Sequence, residues 1–396
     1  MATLLPFRAL RPKPELAASV AAVPYDVVTT DEARALADGN PLSFLRVSRA
    51  ELELPPVTDP YADAVYDRAL RNFALLRASA LVQEGEPSVY LYRLRMGQHS
   101  QTGVAACFSI DEYDRDVIRK HERTRPDKED DRTRHMLALG AQTGPVFLTY
   151  RDSPDIDAVA DRVVAQPALF DFEAADGVRH TIWRAGAADR DALVRAFGGI
   201  RSLYIADGHH RAASAARARE NGNDPGFLAV AFPHNQVQIL PYNRIVKDLG
   251  NLSPSTFVEQ VKQEFDVRPG PSLPTRRGDI SMYFDGAWHA LRPRVAGDPS
   301  DPIASLDVSV LQEKLLAPIL GIADVRTDKR IDFVGGARGP AELERLVRSG
   351  RAAVAFSLYP VSVSDLMAVS DAGKIMPPKS TWFEPKLRDG LLIHLL

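Results

Sequence analysis

The residues with the clearest chemical potential follow one another in IADGHHR, residues 205–211. The pattern predicts a buried strand, a sharp turn at Asp207–Gly208 and then an Ala/Arg-rich helix. The N-terminus of a helix presents unpaired N–H groups and the positive end of a dipole, so it favours anions such as phosphate. Three side chains that donate hydrogen bonds to phosphate oxygens follow directly: His209, His210 and Arg211. The sequence therefore predicts a phosphate-binding turn.

Two other interpretations of this turn are open. Asp207 could be only an N-cap with ordinary turn histidines after it, although four polar residues at one turn exceed what capping needs. The turn could instead hold a metal through Asp207, His209 and His210. We rank the metal site below phosphate binding, because neighbouring residues rarely direct both imidazoles at one ion and no further histidine is nearby in sequence.

Residues 111–135 carry nine acidic and eight basic side chains. Most of these charges favour a solvated helix with many ion pairs. Within the segment, His121–Glu122 is suited to proton transfer, and Glu122 is a candidate catalytic carboxylate. Asp130 and Asp131 could hold magnesium. His121–Glu122 is not a zinc-protease motif, because the second histidine four residues on is missing.

Two further candidates lie near the ends of the chain. Asp26, in VPYDVV, follows a Pro–Tyr turn and could face a cleft at the edge of a sheet, or could simply cap that turn. Lys379, in KIMPPKSTWFEPKLRDGLLIHLL, offers a cation next to two hydroxyls. The alternative for this terminal segment is a rigid tail, which Trp382 and Phe383 pin to the core.

Helix and strand patterns alternate around these candidates. Apolar spacing predicts a helix within residues 60–82, and Asp176–Gly177 and Asp285–Gly286 predict hairpins with tight primed turns. Helices beside hairpin-rich mixed sheets indicate an α+β fold. The Pro/Gly/Arg-rich stretch at about 268–279 predicts a linker between an N-terminal domain, 1–267, which carries the turn, and a C-terminal α+β domain, 280–396.

Composition excludes several classes of protein. The chain has 396 residues and a formal net charge of −3, so no nucleic-acid partner is expected. The single cysteine, Cys107, excludes disulfide scaffolds and thiolate zinc sites and favours the cytoplasm. No apolar stretch is long enough to span a membrane, and no membrane partner is expected. The P-loop, GxGxxG, GxSxG and protein-kinase motifs are absent, which disfavours the common nucleotide folds.

Several motifs together resemble the DUF1015 family from the first motif to the last residue. They are VPYDVV, NPLSFLRV, the charged KHERT…DDRTRHML stretch, IADGHHR, LPYNRIV and MPPKSTWFEPKLRDGLLIHLL. The DGHHR turn is also similar to that of the ParB/sulfiredoxin superfamily, which includes free-serine kinases. The resemblance implies a ParB/sulfiredoxin-like nucleotide-binding core, with nucleotide phosphates bound at this turn.

The resemblance assigns Gly208, His209, His210 and Arg211 to the phosphates and places Asp207 beside them, near a metal or the substrate hydroxyl. Our candidates for the remaining roles are chosen by chemistry. Asp26 and Glu122 are candidate bases alongside Asp207, and Lys379 is a further candidate phosphate ligand.

The function expected from this resemblance is that of a small-molecule kinase. ATP or ADP with Mg²⁺ would supply the phosphoryl group, and free L-serine or a similar metabolite would accept it. A nucleotide-binding sensor without turnover and a nucleotide hydrolase are the alternatives. ParB-type DNA partitioning is disfavoured by the charge balance, and sulfiredoxin chemistry by the position of Cys107. The sequence is compatible with a homodimer and does not fix the oligomeric state.

Overall fold

The chain folds into two compact units of mixed α and β structure. A computed structural model describes residues 1–219 and 225–396. The first unit comprises residues 1–237 and the C-terminal residues 385–396, and the second comprises residues 238–384. The C-terminal segment belongs to the first unit because it forms antiparallel bridges there, between Ala22 and Asp389 and between Leu10 and Ile393.

The strands are short, and hairpins connect several of them. In chain order they are β1 Leu4–Leu5, β2 Leu10–Pro12, β3 Leu81–Gln83, β4 Tyr90–Met96, β5 His99–Ser109, β6 Ile118–Arg119, β7 Ala141–Gln142, β8 Val146–Tyr150, β9 Phe170–Glu173, β10 Arg179–Arg184, β11 Leu203–Asp207, β12 Gly226–Pro233, β13 Gln238–Leu240, β14 Tyr242–Val246, β15 Phe265–Pro269, β16 Ile280–Phe284, β17 Ala287–Pro293, β18 Ile331–Gly335, β19 Val354–Leu358, β20 Trp382–Glu384 and β21 His394–Leu395.

Helices occur in both units. In chain order they are α1 Ala17–Val20, α2 Thr30–Ala37, α3 Leu45–Ser48, α4 Asp63–Ser79, α5 Ile110–Asp114, α6 Pro126–Leu139, α7 Pro154–Val164, α8 Ala187–Phe197, α9 His209–Arg219, α10 Pro254–Glu264, α11 Asp307–Leu311, α12 Gly339–Arg348 and α13 Val363–Asp371. The prediction of a helix within residues 60–82 is confirmed by α4. Among the described residues, none of the helices is both long and apolar enough to cross a bilayer.

A nine-stranded mixed sheet forms the centre of the first unit. Its strands lie in the order β6–β11–β8–β12–β5–β4–β10–β9, and β1 adds to β5. The pairs β6/β11 and β8/β12 are parallel and the other pairs are antiparallel. Val104, Leu148, Phe197 and Leu203 belong to the apolar core built on this sheet. The sheet confirms the α+β expectation and carries β11, which leads into the predicted phosphate turn.

Both predicted hairpins form, but their turns differ. Asp285 and Gly286 both have positive φ, 48° and 77°, as a primed two-residue turn requires. In the other hairpin only Gly177 has positive φ, and the N–H of Ala174 donates to the carbonyl of Val178. The turn at Asp176–Gly177 is therefore a longer loop with a single residue in the left-handed region, and the prediction of a primed turn there was wrong.

The second unit contains a six-stranded antiparallel sheet in the order β15–β17–β16–β19–β14–β18. Residues 268–279, which we expected to link two domains, run from the end of β15 to the start of β16 within this unit. Pro and Gly there interrupt regular structure, as expected. However, β15, which precedes the interruption, pairs with β17, which follows it. The stretch is a loop of one sheet, and the units divide after residue 237 instead.

The charged segment at residues 111–135 is not one helix. It comprises the end of α5, the short strand β6 and most of α6, with a loop before Pro126. Asp116 takes a positive φ of 56°, which ends helical geometry after α5. Proline fixes its own φ and restricts the residue before it, so Pro126 begins a new helix. The interruption places His121 and Glu122 in a loop.

Candidate functional site

The predicted strand, turn and helix are present, and Gly208 lies between them. β11 ends at Asp207 and α9 begins at His209. Gly208 has a φ of 93°, which residues with a side chain rarely adopt. A Cβ there would lie 3.4 Å from the Cα of Val146. The N–H of Gly208 donates to Oδ1 of Asp207 at 3.0 Å. Glycine therefore allows a tight turn whose carboxylate is fixed at the start of α9.

Asp207 is paired with a lysine from the C-terminal segment. Nζ of Lys386 donates to Oδ2 of Asp207 at 3.1 Å. Burial alone would raise the pKa of Asp207, but the charges of Lys386 and Arg211 outweigh it and lower the pKa below its usual value. The site therefore holds an ionised carboxylate next to a cation at the head of a helix.

Arg211 is buried beneath the turn. Its Nη1 donates to the carbonyl of Pro145 at 2.7 Å, and its Nη2 lies 3.4 Å from Oδ1 of Asp26. Burial disfavours its charge, yet Asp26, Asp389 and Asp207 together raise the pKa of Arg211 above its usual value. Arg211 thus connects α9 to Pro145 and to Asp26, so it has a structural role besides any contact with phosphate.

The two adjacent histidines point in different directions. Nε2 of His209 accepts a hydrogen bond from the N–H of His121 at 3.4 Å, and its Nδ1 lies 3.9 Å from Oε2 of Glu122. Nε2 of His210 accepts from the N–H of Arg125 at 3.0 Å. Burial lowers the pKa of His121 to about 4 and holds that of His209 well below its usual value, so both rings are neutral at pH 7.

A cavity of about 40 Å³ lies next to Arg211. Tyr25, Arg132 and Asp389 help to line it, and the guanidinium of Arg132 lies 4.2 Å from the centre of the Tyr25 ring. Nε of Arg211 and Oδ1 of Asp389 are buried and have no hydrogen-bond partner among the described residues. Burial raises the pKa of Asp389 to about 7, although Arg211 opposes the shift. A polar cavity of this size has room for a few water molecules or a small polar group.

Gly144 allows Asp389 to occupy its position. A Cβ on Gly144 would lie 2.5 Å from Oδ1 of Asp389, which is closer than any real contact of that kind. The backbone of Asp389 also forms two hydrogen bonds with Ala22. The Asp389 N–H donates to the Ala22 carbonyl at 2.9 Å, and the Ala22 N–H donates to the Asp389 carbonyl at 3.2 Å. The C-terminal segment is therefore positioned by strand pairing, and its carboxylate approaches the loop before β8.

The structure brings two of the chemically chosen candidates to the turn. Asp26 reaches Arg211, and Glu122 reaches His209. Lys379 belongs to the second unit, where its Nζ lies 5.6 Å from the centre of the Tyr242 ring and its carbonyl accepts a hydrogen bond from Arg244. The proposed roles of these residues stay predictions.

Sequence reasoning missed three partners of the turn. Lys386 and Asp389 lie in the C-terminal motif from which we chose Lys379, and His121 was considered only with Glu122. The absence of a nearby histidine in sequence was misleading, because His121 meets His209 from 88 positions away. The available signal was the concentration of Lys, Arg and Asp in PKLRDG, which lies within one of the motifs that carry the resemblance.

Solved structures give distant likenesses. A conserved hypothetical protein from Pyrococcus furiosus has 13% identity and a TM-score of 0.38, over 74% of this chain and 95% of that one. SbnI from Staphylococcus aureus has the same identity and TM-score, over 74% and 87%. A free serine kinase in complex with AMP has 14% identity and a TM-score of 0.38, over 73% and 92%. Scores this low support no argument about the activity of this chain.

A search of curated proteins finds no match. A family model described as "Protein of unknown function (DUF1015)" matches residues 4–309. That range contains the Asp26 and Glu122 candidates as well as the whole DGHHR turn. Because the match spans most of the chain and confirms the resemblance seen in the motifs, the protein belongs to the DUF1015 family.

Proposed function

We propose that this protein transfers a phosphoryl group from ATP or ADP to the hydroxyl of a small molecule, with free L-serine as the favoured acceptor. The observation that carries the proposal is the convergence of charges at the start of α9. Two cations, Lys386 and Arg211, and two carboxylates, Asp207 and Asp26, meet at this turn from three segments of the chain: the DGHHR turn itself, the VPYDVV segment and the C-terminal segment. Phosphoryl transfer needs both signs of charge in one place.

The cations and the helix terminus would bind the phosphates. Gly208 permits close approach of a ligand to the backbone, and the amides at the head of α9 favour negative charge. Lys386 adds a point charge to this end of the helix. His210, which is half-buried at the start of α9, would contribute a neighbouring polar contact.

A carboxylate would orient the acceptor hydroxyl and take up its proton. Asp26 and Glu122 are both partly exposed, with 38% of each side chain accessible, so each can meet a substrate. Asp26 lies 3.4 Å from the Arg211 guanidinium, so its carboxylate faces the charges that would bind the phosphates. Asp26 is our first candidate for the base because it meets Arg211 at the turn, and Glu122, which lies 3.9 Å from His209, is the second.

Magnesium fits the oxygen ligands present at the turn. Mg²⁺ prefers carboxylate and phosphate oxygens, and Asp207 would hold it together with the nucleotide. When bound, the ion would neutralise developing charge on the phosphates. Asp207 would keep its position through Gly208 N–H and Lys386 while it does so.

The proposal extends to the fold and the location of the protein. We place the mixed sheet, with β11, the turn and α9, as a ParB/sulfiredoxin-like nucleotide-binding core. The cytoplasmic location expected from the single cysteine is part of the same proposal. A nucleotide sensor without turnover would use the same turn, and a hydrolase would use water as the acceptor.

The test of the site is a thermal-shift screen of the full chain with ATP, ADP, AMP and pyrophosphate, each with and without Mg²⁺ and L-serine. A ligand that binds the native state raises the melting temperature. The proposal expects stabilisation by a nucleotide that Mg²⁺ and serine strengthen. No stabilisation by any of the four phosphates would overturn it.

Variants of the carboxylates then test turnover. Asp26→Asn should keep nucleotide stabilisation and lose product formation by a hundredfold or more, which is the usual contribution of a general base. The control is Asp189→Asn, which removes a carboxylate that pairs with Arg162 at 3.0 Å on the helical surface of the same unit. Equal product formation by Asp26→Asn and the control would exclude Asp26 as the base and transfer the role to Glu122.

A further inference from the structure

Three side chains with metal-ligating atoms meet at the start of α9. His121 and Glu122 belong to the loop before α6, and His209 is the first residue of α9. One ring nitrogen of each histidine and one carboxylate oxygen of Glu122 all lie within 4.8 Å of one another. Both histidines are buried, with 2% and 5% of their surfaces exposed, whereas 38% of the Glu122 side chain is exposed.

The surroundings of the histidines match those of metal ligands. The backbone carbonyl of Ile205 accepts a hydrogen bond from the His121 ring, so the other ring nitrogen of the neutral imidazole carries a lone pair. Metal-binding histidines are commonly held by such a carbonyl, which fixes the tautomer and the ring orientation. The ring planes of His121 and His209 are 88° apart with centroids 4.5 Å apart, so their edges can converge without stacking.

We propose that His121, Glu122 and His209 form a binding site for a divalent transition-metal ion, with at least one coordination position left open. Two imidazoles and one carboxylate select ions such as Zn²⁺, Co²⁺ or Mn²⁺, whereas Mg²⁺ prefers oxygen ligands. Three protein ligands leave a position for water or a substrate oxygen. The inference does not depend on the proposed phosphoryl transfer, since it concerns binding of the ion alone.

The geometry requires a small closure around the ion. Ligands at about 2.0–2.1 Å from a tetrahedral ion lie roughly 3.4 Å from one another. The three donor atoms span up to 4.8 Å, and Glu122 is exposed enough to rotate inward. Binding through Nδ1 of His209 moves the proton of this neutral ring to Nε2, which gives up the long 3.4 Å hydrogen bond from the His121 N–H.

Charge also favours a cation at this position. Glu122 supplies one negative charge, and the Asp207 carboxylate interacts electrostatically with both His121 and His209. The Glu122 carboxylate beside two neutral imidazoles therefore favours a cation, and Asp207, which is already paired with Lys386, adds to this attraction.

The test is titration of the full chain with Co²⁺ after treatment with a chelator, followed by visible spectroscopy, because tetrahedral Co²⁺ absorbs far more strongly than hydrated Co²⁺. We expect one equivalent of Co²⁺ to produce the band, Zn²⁺ to abolish it and excess Mg²⁺ to leave it intact. No nucleotide is present, so this outcome is independent of kinase activity. Failure to develop the band, or its loss on addition of Mg²⁺, would overturn the proposal.

Variants assign the site to these residues. Glu122→Gln should weaken Co²⁺ binding at least tenfold, and His209→Gln should do the same or more. The matched control is Glu129→Gln, because Glu129 is a partly buried glutamate of neighbouring α6 that pairs with Arg217 and Thr124 instead. If His209→Gln does not fold, as circular dichroism would show, Glu122→Gln decides. Equal affinity of Glu122→Gln and the control would exclude the site.

Discussion

Nζ of Lys386 lies 3.1 Å from Oδ2 of Asp207, although the two residues are 179 positions apart in the chain. The contact connects the C-terminal segment to the DGHHR turn. Strand-like bridges at Asp389 and Ile393 hold this segment in the first unit, so the lysine is positioned by the fold. The pair therefore joins two of the motifs on which membership of the family rests.

Replacing Lys386 should impair nucleotide binding. Lys386→Met removes a cation from the phosphate side of the turn and leaves Asp207 to repel phosphate, so we expect the nucleotide Kd to rise at least tenfold. The matched control is Lys374→Met, because Lys374 forms the same kind of pair with Asp301 at 3.0 Å in the second unit. Isothermal titration with ADP and ATP measures both. Equal Kd values for the two variants would remove Lys386 from the site.

The Gly208→Ala variant, compared with Gly177→Ala, should distinguish the effect of backbone strain from the loss of ligand binding. Gly208→Ala places a side chain at φ 93°, and we expect a loss of about 1 kcal/mol or more in the free energy of unfolding. Gly177→Ala carries similar strain at φ 77°, where a Cβ would meet nothing within 4 Å. Chemical denaturation should show losses in both variants, whereas nucleotide stabilisation should fall only in Gly208→Ala. Nucleotide stabilisation that survives equally in both would contradict the role of the turn.

Asp389 should make the folded protein less stable as pH rises. Its pKa is raised by burial from 3.8 to about 7, so the folded state binds a proton that the unfolded state has released between those values. This contribution to stability is complete below pH 3.8 and is lost as pH rises to about 7. The loss has a slope of up to about 1.4 kcal/mol per pH unit.

Asp389→Asn tests this linkage, because asparagine does not titrate. We expect the difference in free energy of unfolding between parent and variant to change between pH 4 and pH 7, in the direction that favours the variant as pH rises. Urea denaturation at several pH values measures it. A difference that stays constant over this window would show that Asp389 titrates normally. Among the charged groups around Asp389, Asp26 adds to the upward shift of its pKa, whereas Arg211, Arg132 and Arg388 oppose it.

Arg211→Ala should destabilise the protein as well as any nucleotide complex. Arg211 is buried and bonded to Pro145 and Asp26, so it stabilises the fold besides any contact with phosphate. Its removal leaves a buried carbonyl unpaired and uncovers nearby carboxylates, at a cost of about 2 kcal/mol or more.

The control for this prediction is on the same helix. Arg217 is 43% exposed and pairs with Asp130 at 2.7 Å, so Arg217→Ala should cost less than about 1 kcal/mol. Chemical denaturation compares the two variants directly. Equal losses would mean that burial of Arg211 contributes little to stability.

Local patterns predicted the local structure well. The two Asp–Gly hairpins, the helix at α4 and the passage from β11 to α9 depend on neighbouring residues, so the sequence pattern was sufficient to predict them, although not the type of turn at Asp176–Gly177. The loop at residues 268–279 was mistaken for a linker because Pro and Gly interrupt structure in the same way within a sheet and between domains. Only strand pairing between β15 and β17 distinguishes the two cases.

The site was predicted only in part, because sequence patterns indicate local structure and not contacts between distant residues. The turn itself is contiguous, and chemical reasoning selected Asp26 and Glu122, which reach it through the fold. Lys386 and His121 meet the turn across 179 and 88 positions, and no periodicity in the sequence reports contacts at such separations. Lys379 was chosen over Lys386 because Ser and Thr follow it, a feature that says nothing about pairing with Asp207.

The most direct test is to incubate the purified chain with Mg²⁺, L-serine and either ATP or ADP, and to detect phosphoserine by ³¹P NMR and mass spectrometry. The proposal predicts phosphoserine from at least one nucleotide, and its loss in Asp207→Asn but not in the control variant Asp189→Asn. Nucleotide binding with no phosphorylated product would contradict the kinase and support a sensor. Release of inorganic phosphate at a rate that serine does not change would instead identify a hydrolase.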